Sequence, residues 1–161
     1  MDIKTQHHFS VMSNITWSYK HYTDLSIAEL YEILRLRSLV FVVEQNCVYL
    51  DLDNKDQESY HLMGTVNGIL TAYVRILPPG LAFEEASIGR VITHPDYRAK
   101  GFGKELMKQA IEKTRSTYNP DAIRIGAQCY LIRFYGELGF TISGEEYMED
   151  GIPHVEMLLT L

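Results

Sequence analysis

The spacing of apolar residues divides the chain into short strands and amphipathic helices in a mixed order. Helical spacing predicts helices over 26–41, 103–115 and 131–138. Alternation and short apolar runs predict about six to seven strands, over 15–22, 59–66, 69–77, 86–93, 121–128, 140–148 and 154–161. This order predicts an α+β fold. Its sheet is expected to be mixed and mostly antiparallel, flanked by helices, with one right-handed strand–helix–strand crossover.

Turn and cap residues mark several boundaries of these elements. Ser26 followed by Glu29 predicts a capping box at the start of the first helix. Asn67-Gly68 predicts a tight hairpin between two strands, and Gly139 predicts the end of the third helix. The first helix is predicted to bury one apolar face, made of Ile27, Leu30, Tyr31 and Leu34.

Length and composition predict one globular domain over residues 1–161, with 1–13 as a loose leader. The net charge of −6 argues against a general attraction to nucleic acid or to anionic membranes. Neither a signal peptide nor an apolar membrane span is recognisable, so we expect a cytoplasmic protein. Cys47 and Cys129 lack CxxC spacing, which predicts two reduced, buried thiols.

The stretch "HPDYRAKGFGKEL" (94–106) concentrates positive charge and glycine in an acidic chain. A P-loop would need Ser or Thr after Lys104, and a dinucleotide fingerprint would need glycine where Leu106 stands. What remains is a turn through Gly101 and Gly103 into a helix. The first N–H groups of a helix point outward at the positive end of its dipole, which predicts a phosphate or pyrophosphate site. Further charge comes from Arg98, Lys100 and Lys104.

This stretch and its flanks resemble the acetyl-CoA signature of the GNAT N-acetyltransferases. "GRVIT" precedes the turn, and the aromatic-rich "FYGELGF" (134–140) stands where the family has its second landmark. The strings "LRLRSLVFVVEQNCVYLDLDNKD", "IGRVITHP" and "YMEDGIPHVEM" are similar to the ElaA-type branch of that family. The resemblance covers the chain from about residue 15 to its end. It implies the GNAT (acyl-CoA N-acyltransferase) fold and acetyl-CoA as a co-substrate.

The resemblance also implies a cofactor site and a general acid. The pantetheine arm would pair like an added strand with the backbone of Val91, Ile92 and Thr93, whose amides would polarise the thioester carbonyl. Tyr135 corresponds to the acid that protonates the leaving thiolate, unless it is simply a half-buried aromatic residue. An asparagine common early in the family's short helix is missing, which leaves its contact to Gln128 or the backbone. The pyrophosphate would lie on Arg98, Ala99, Lys100, Gly101, Phe102, Gly103 and Lys104.

The acceptor side is expected in segments 42–49 and 145–154, where an amine must lose a proton to a base. Glu44 is one candidate base, because the apolar run before it would desolvate the carboxylate, although a structural anchor at a helix end fits equally. His154 is the other, or else a packed or surface histidine. The acidic residues around it form either a recognition surface for a cation or a solvated rim: Glu145, Glu146, Glu149 and Asp150.

A metal site is not expected. Asp51, Asp53 and Asp56 suggest a calcium loop, but Asp56 stands where such a loop needs glycine, so a solvated turn is predicted instead. The histidines are scattered without ligand spacing, and the His7-His8 pair lies in the leader.

The function predicted from these residues is transfer of an acetyl group from acetyl-CoA to an amine by direct attack in a ternary complex. Two alternatives remain: a non-catalytic acyl-CoA-binding module, and a transferase that uses longer acyl donors. The expected acceptor is a small-molecule or peptide amine, with no nucleic acid or membrane partner. An exposed edge strand makes a homodimer possible.

Overall fold

A computed structural model describes residues 14–161, and an eight-stranded sheet forms its centre. Its strands are β1 Ile15–His21, β2 Tyr60–Val66, β3 Ile69–Leu77, β4 Ala86–Thr93, β5 Ala122–Gln128, β6 Thr141–Ile142, β7 Tyr147–Glu149 and β8 Ile152–Thr160. The order is β1-β2-β3-β4-β5-β8-β6, and β7 pairs with β8 outside this path. The predicted α+β architecture is confirmed. The predicted leader, with His7-His8, lies outside the described residues.

The first four strands form an antiparallel meander. Asn67 and Gly68 join β2 to β3 with φ angles of 50° and 77°, the left-handed conformations that a tight hairpin turn requires, so the hairpin prediction is confirmed. Strand β3 ends at Leu77 because Pro78 has no N–H for the ladder.

Helix α1 (Ile27–Arg37) begins at Ser26, whose Oγ accepts a hydrogen bond from the Glu29 backbone N–H at 3.0 Å. Only this half of the predicted capping box forms, because the Glu29 carboxylate accepts a hydrogen bond from Lys20 Nζ at 2.8 Å instead.

The predicted apolar face of α1 is wrong. Ile27 and Tyr31 are 90% and 67% exposed. The helix continues into a π-helical turn, Ser38–Glu44, and the two together bury a different stripe: Ile33, Leu36, Arg37 and Val40. Helical spacing alone fits either stripe. The second is buried because the sheet and the loop after the turn supply its partners, including carboxylates for Arg37.

Helix α2 (Phe102–Tyr118) connects β4 to β5, which run parallel. It is longer than predicted and stops before Asn119, whose φ of 45° breaks the helix. Its buried positions Leu106, Met107 and Ala110 pack on one face of the sheet.

The C-terminal part begins with a short helix, α3 (Ile132–Glu137), and Gly139 follows it with a φ of 99°. The segment predicted as one strand over 140–148 forms two short strands, β6 and β7, so the sheet has eight strands rather than six to seven. Both pair with β8, which also runs antiparallel to β5 along its whole length.

The sheet separates two apolar layers. The larger layer lies between one face of the sheet and the helices α2 and α3. The smaller layer lies between the other face of the sheet and α1. Among residues 14–161, none of the helices combines the length and the apolar character needed to cross a membrane.

Candidate active site

Strands β4 and β5 pair at one end only, and their separation opens a cleft in the sheet. Ala86 pairs with Ile123 and Ser87 with Arg124, and within residues 14–161 no further pair joins the two strands. The rest of β4, through Thr93, therefore presents backbone N–H and C=O groups at a free sheet edge. The cleft has a volume of about 1330 Å³ and is bordered by the π-helical turn, the start of α2, α3 and the β7–β8 hairpin.

A β-bulge changes the direction of this free edge. The ladder between β3 and β4 skips one position at Val74, which lies opposite both Arg90 and Val91. Arg90 has a φ of 53°, in the left-handed region that residues with side chains rarely adopt. Beyond the bulge, Val91 and Thr93 line the cleft.

The glycine turn, residues 98–104, places the start of α2 at the same cleft. Gly101 is the N-cap residue, with a φ of 79°, and no side chain caps the helix. The first backbone N–H groups of α2 thus lack a side-chain acceptor and lie at the positive end of the helix dipole. Gly101 and Gly103 both border the cleft, so this positive end of the helix faces it.

The structure brings nine of the ten predicted cofactor-binding residues to the cleft. Lys100 is the exception, because its ammonium lies over the Tyr97 ring, 5.3 Å from the centroid. The side chains of Ile92 and Phe102 are buried in the core, which leaves only their backbone groups for a ligand. Backbone contacts are also what the prediction requires of them.

The two landmarks of the sequence meet at Gly103. A β-carbon there would lie 3.5 Å from Thr93 Oγ1 and 3.8 Å from the Phe134 ring. The end of β4, the start of α2 and the aromatic residues of α3 therefore contact one another. Both distances are ordinary contacts, so these neighbours leave room for a β-carbon at this position.

Tyr135, on α3, lines the cleft and is 7% exposed. Its ring packs edge-on against Phe134 and Phe140. Burial, and to a smaller extent the neighbouring Tyr130, raise the pKa of Tyr135 well above its usual range. The hydroxyl carries its proton at neutral pH, as the hydroxyl of an exposed tyrosine does.

Glu44 also lines the cleft, but its predicted burial is wrong. The side chain is exposed, and both carboxylate oxygens accept hydrogen bonds from Arg98, at 2.6 and 3.0 Å. Arg98 Nε in turn donates to the Thr93 carbonyl oxygen at 3.3 Å. The desolvation argument for a base does not hold here. Glu44 instead anchors a side chain of the glycine turn.

His154, at the start of β8, is buried and lines the cleft. Its Nδ1 lies 2.7 Å from the Ile152 carbonyl oxygen. Because a carbonyl only accepts, Nδ1 carries a proton. Nε2 lies 3.3 Å from Glu149 Oε2, and the ring stacks on Tyr147. The acidic residues beside it are all exposed: Glu145, Glu146, Glu149 and Asp150.

The expectation of a solvated aspartate loop is wrong for Asp51 and Asp56, which are 3% and 6% exposed. Both bind Arg37, which has no exposed surface, at 2.7 and 2.6 Å. These charges are tolerated in the core because each is paired and hydrogen-bonded. In the part of the chain from 14 to 161, no cluster of His, Cys, Asp or Glu could hold a metal. The ion network consists of Arg37, Asp51, Asp53, Asp56, Arg75 and Arg90.

Both cysteines are free thiols, but they are half-buried rather than buried as predicted. Cys47 lines the cleft, and its Sγ donates a hydrogen bond to the Asp150 carbonyl oxygen at 3.2 Å. This contact joins the segment after the π-helical turn to the β7–β8 turn.

Two further cleft residues, Tyr147 and Arg90, were not predicted from the sequence. Tyr147 crosses β5 so closely that a β-carbon on Gly126 would lie 2.7 Å from its hydroxyl oxygen. The isolated glycine in the predicted strand 121–128 was the available signal, because such a glycine often marks a close approach. Arg90 gave no local signal, since its partners lie far away in sequence.

Fold and cleft together define an acyltransferase of the GNAT class. The family model described as "Acetyltransferase (GNAT) domain" matches residues 27–161, and the chain belongs to this family. The predicted fold and family are thus confirmed, and the family's reaction is acyl transfer from a coenzyme A thioester.

Within that family the chain belongs to the ElaA-type branch. Protein ElaA of Escherichia coli is 41% identical over 145 residues, which span 89% of this chain and 95% of ElaA. The crystal structure of Escherichia coli ElaA superposes with a TM-score of 0.85 and 39% identity, covering 90% of this chain and 99% of that one. An acyl-CoA N-acyltransferase from Pseudomonas aeruginosa superposes with a TM-score of 0.86 and 38% identity, covering 91% and 99%.

Proposed function

We propose that the protein transfers an acetyl group from acetyl-CoA to an amine, by direct attack in a ternary complex. The observation that carries this proposal is the free edge of β4, which lies in one cleft with the uncapped start of α2 and with the Tyr135 hydroxyl. A strand edge, an anion site and a proton donor are the three things that a coenzyme A thioester needs for binding and reaction. The Pseudomonas relative, an acyl-CoA N-acyltransferase, supports the assignment.

The donor is held mainly by backbone groups. The pantetheine amides pair with the free edge at Val91, Ile92 and Thr93, in the manner of strand addition. The pyrophosphate binds at the first N–H groups of α2, across residues 98–104. Arg98, about half exposed at the mouth, adds a guanidinium that Glu44 already holds in place.

The chemistry proceeds through a tetrahedral intermediate. The amine nitrogen bonds to the thioester carbonyl carbon, and a backbone N–H of the β4 edge stabilises the oxyanion that forms. When the C–S bond breaks, the sulfur takes the bonding electron pair, and Tyr135 supplies the proton that turns the thiolate into the free thiol.

His154 is the base of this proposal. Its Nε2 lone pair accepts the amine proton, and the Glu149 carboxylate, 3.3 Å away, stabilises the resulting imidazolium. Glu44 lacks the desolvated setting that the base requires. A covalent enzyme intermediate is not part of the scheme. Cys47 borders the cleft, but its thiol is held by the Asp150 carbonyl oxygen rather than by a base.

The test begins with calorimetric titration of coenzyme A and acetyl-CoA, followed by a coupled CoA-release screen over amine acceptors. Tyr135→Phe should lower kcat by about tenfold or more with nearly unchanged affinity for CoA, because the hydroxyl acts in the transition state. Cys47→Ala should keep its rate. No binding heat would refute the proposal. Binding without turnover would indicate a binding module, and faster turnover with long-chain donors would overturn the acetyl preference.

A further inference from the structure

We propose that Arg90 is a positioning residue, which holds the β4 bulge so that the backbone N–H groups beyond it point into the cleft. Arg90 does not act on the substrate itself. It acts through the shape of the strand, and the ion network supplies its anchor. The inference rests on the proposed function, because those N–H groups are the ones assigned to the thioester.

The bulge reverses the side of the sheet to which the following side chains of β4 point. In a regular strand, residues four apart share a face, yet Ile88 packs in the α2 layer and Ile92 in the α1 layer. The exchange occurs at Arg90, where two residues oppose Val74. After it, Val91 packs against the α2 layer and also lines the cleft.

Arg90 has no intrinsic preference for this conformation. With a φ of 53° and a long side chain, it occupies a region that arginine rarely adopts, and such a conformation persists only where surrounding contacts over-determine it. No glycine stands at this position to make the bulge easy, so the side-chain contacts of Arg90 must supply the constraint.

Those contacts lead into the core. Arg90 Nε donates to Asp51 Oδ1 at 2.7 Å, and Nη2 donates to the Asp51 carbonyl oxygen at 3.0 Å. Nη2 also lies 3.4 Å from Asp53 Oδ2, and the guanidinium lies over the Phe41 ring, 5.9 Å from its centroid. The Arg90 guanidinium is thus held by the two aspartates and by the Phe41 ring.

Asp51 is itself immobilised, which makes it a firm anchor. Its second oxygen, Oδ2, accepts from Arg37 Nε at 2.7 Å, and Tyr49 donates to Oδ1 at 3.1 Å. Arg37 belongs to the buried stripe of α1 and also binds Asp56. A continuous set of charged hydrogen bonds therefore runs from the core of α1 to the bulge at the cleft.

The experiment compares Arg90→Gly with Arg90→Lys. Glycine accepts the φ of 53° without strain, so Arg90→Gly removes the anchor without making the bulge itself unfavourable. Lysine keeps the charge but cannot form the forked contacts. Arg124→Ala is the matched control, because Arg124 on β5 also joins two carboxylates, those of Glu85 and Glu156.

We expect Arg90→Gly to lower kcat by about tenfold or more, because the backbone N–H groups no longer point at the reacting carbonyl. The dissociation constant of CoA should change by less than about twofold. The kcat of Arg90→Lys should lie between those of the wild type and Arg90→Gly. Arg124→Ala should keep the wild-type kcat. The melting temperature of Arg90→Gly should stay within a few degrees of wild type. An unchanged kcat overturns the proposal. So does an equal loss of kcat, CoA affinity and melting temperature, which indicates a purely structural role.

A second measurement separates this inference from the proposed function. In protein labelled with ¹⁵N-threonine, the resonance of the Thr93 amide should move in Arg90→Gly and stay in place in Arg124→Ala. Thr93 lies on the same strand edge beyond the bulge, three residues from the substitution, so a changed neighbour in the sequence does not by itself shift its resonance. If the wild type turns over no amine but the resonance moves, the proposed function fails while the positioning role of Arg90 stands. If the wild type is active and the resonance does not move, the positioning role is refuted and the proposed function stands.

Discussion

Replacing Gly101 with alanine perturbs the glycine turn at the residue that caps α2. Gly101 has φ 79° and ψ 5°, and a residue with a side chain is disfavoured in this left-handed region by about 1–2 kcal/mol. The residue is exposed, so new packing does not offset that cost. We expect urea unfolding to show that Gly101→Ala loses about 1 kcal/mol of the free energy of unfolding.

The larger effect is expected on coenzyme A. A turn that relaxes away from the left-handed conformation turns the first N–H groups of α2 away from the pyrophosphate. Loss of one or two such hydrogen bonds, each worth about 1.5–3 kcal/mol when the acceptor is charged, weakens binding by about tenfold or more. Isothermal titration calorimetry of coenzyme A against Gly101→Ala measures this directly.

Gly136→Ala is the matched control, since it adds the same methyl group to a helical glycine that does not line the cleft. Its β-carbon would meet no neighbouring atom within 4 Å. Alanine also favours the helix by roughly 1 kcal/mol over glycine, so stability should hold or rise. The reasoning is refuted if Gly101→Ala binds coenzyme A as tightly as wild type, or if both variants lose affinity equally.

Three further predictions concern the ion network, acid stability and the β5 strand. Asp56→Ala leaves two buried guanidiniums short of a partner and should cost about 3–5 kcal/mol in urea unfolding, whereas Glu112→Ala, which breaks an exposed pair, should cost less than about 1 kcal/mol; equal losses would contradict the network. Burial lowers the pKa of His61 below its usual 6.5. As the pH falls, the His61 ring is therefore protonated in the unfolded chain before it is protonated in the folded one. The free energy of unfolding should decline as the pH falls from 6.5. Hydrogen bonds and charge from arginines hold the pKa of Asp56 below 3.8 despite its burial, so a second decline should begin near that pH; thermal melts from pH 7 to pH 3 check both, and a flat profile contradicts them. Gly126→Ala places a β-carbon 2.7 Å from the Tyr147 hydroxyl oxygen and should lower the melting temperature, and Gly126→Ala combined with Tyr147→Phe should recover most of that loss; no recovery would show that the clash lies elsewhere.

Local signals in the sequence were sufficient for most element boundaries. Strand β4 has the predicted bounds, Asn67-Gly68 forms the predicted turn, and Ser26 caps α1 as predicted. Each of these depends on neighbours within a few residues, where backbone sterics and short hydrogen bonds decide the conformation. The glycine turn is also set by local signals, because the left-handed Gly101 directly precedes the first residue of the helix.

The tertiary structure decided what depends on distant partners. Helical spacing in α1 permitted two apolar stripes, and the carboxylates of the loop after it made the stripe containing Arg37 the buried one. Glu44 followed an apolar run, yet Arg98, far along the chain, holds it at the surface. The sequence by itself thus determined most of the elements, the family and the position of the glycine turn. The cleft, the bulge and the buried charges required the folded chain, because their energies come from contacts between residues that lie far apart in sequence.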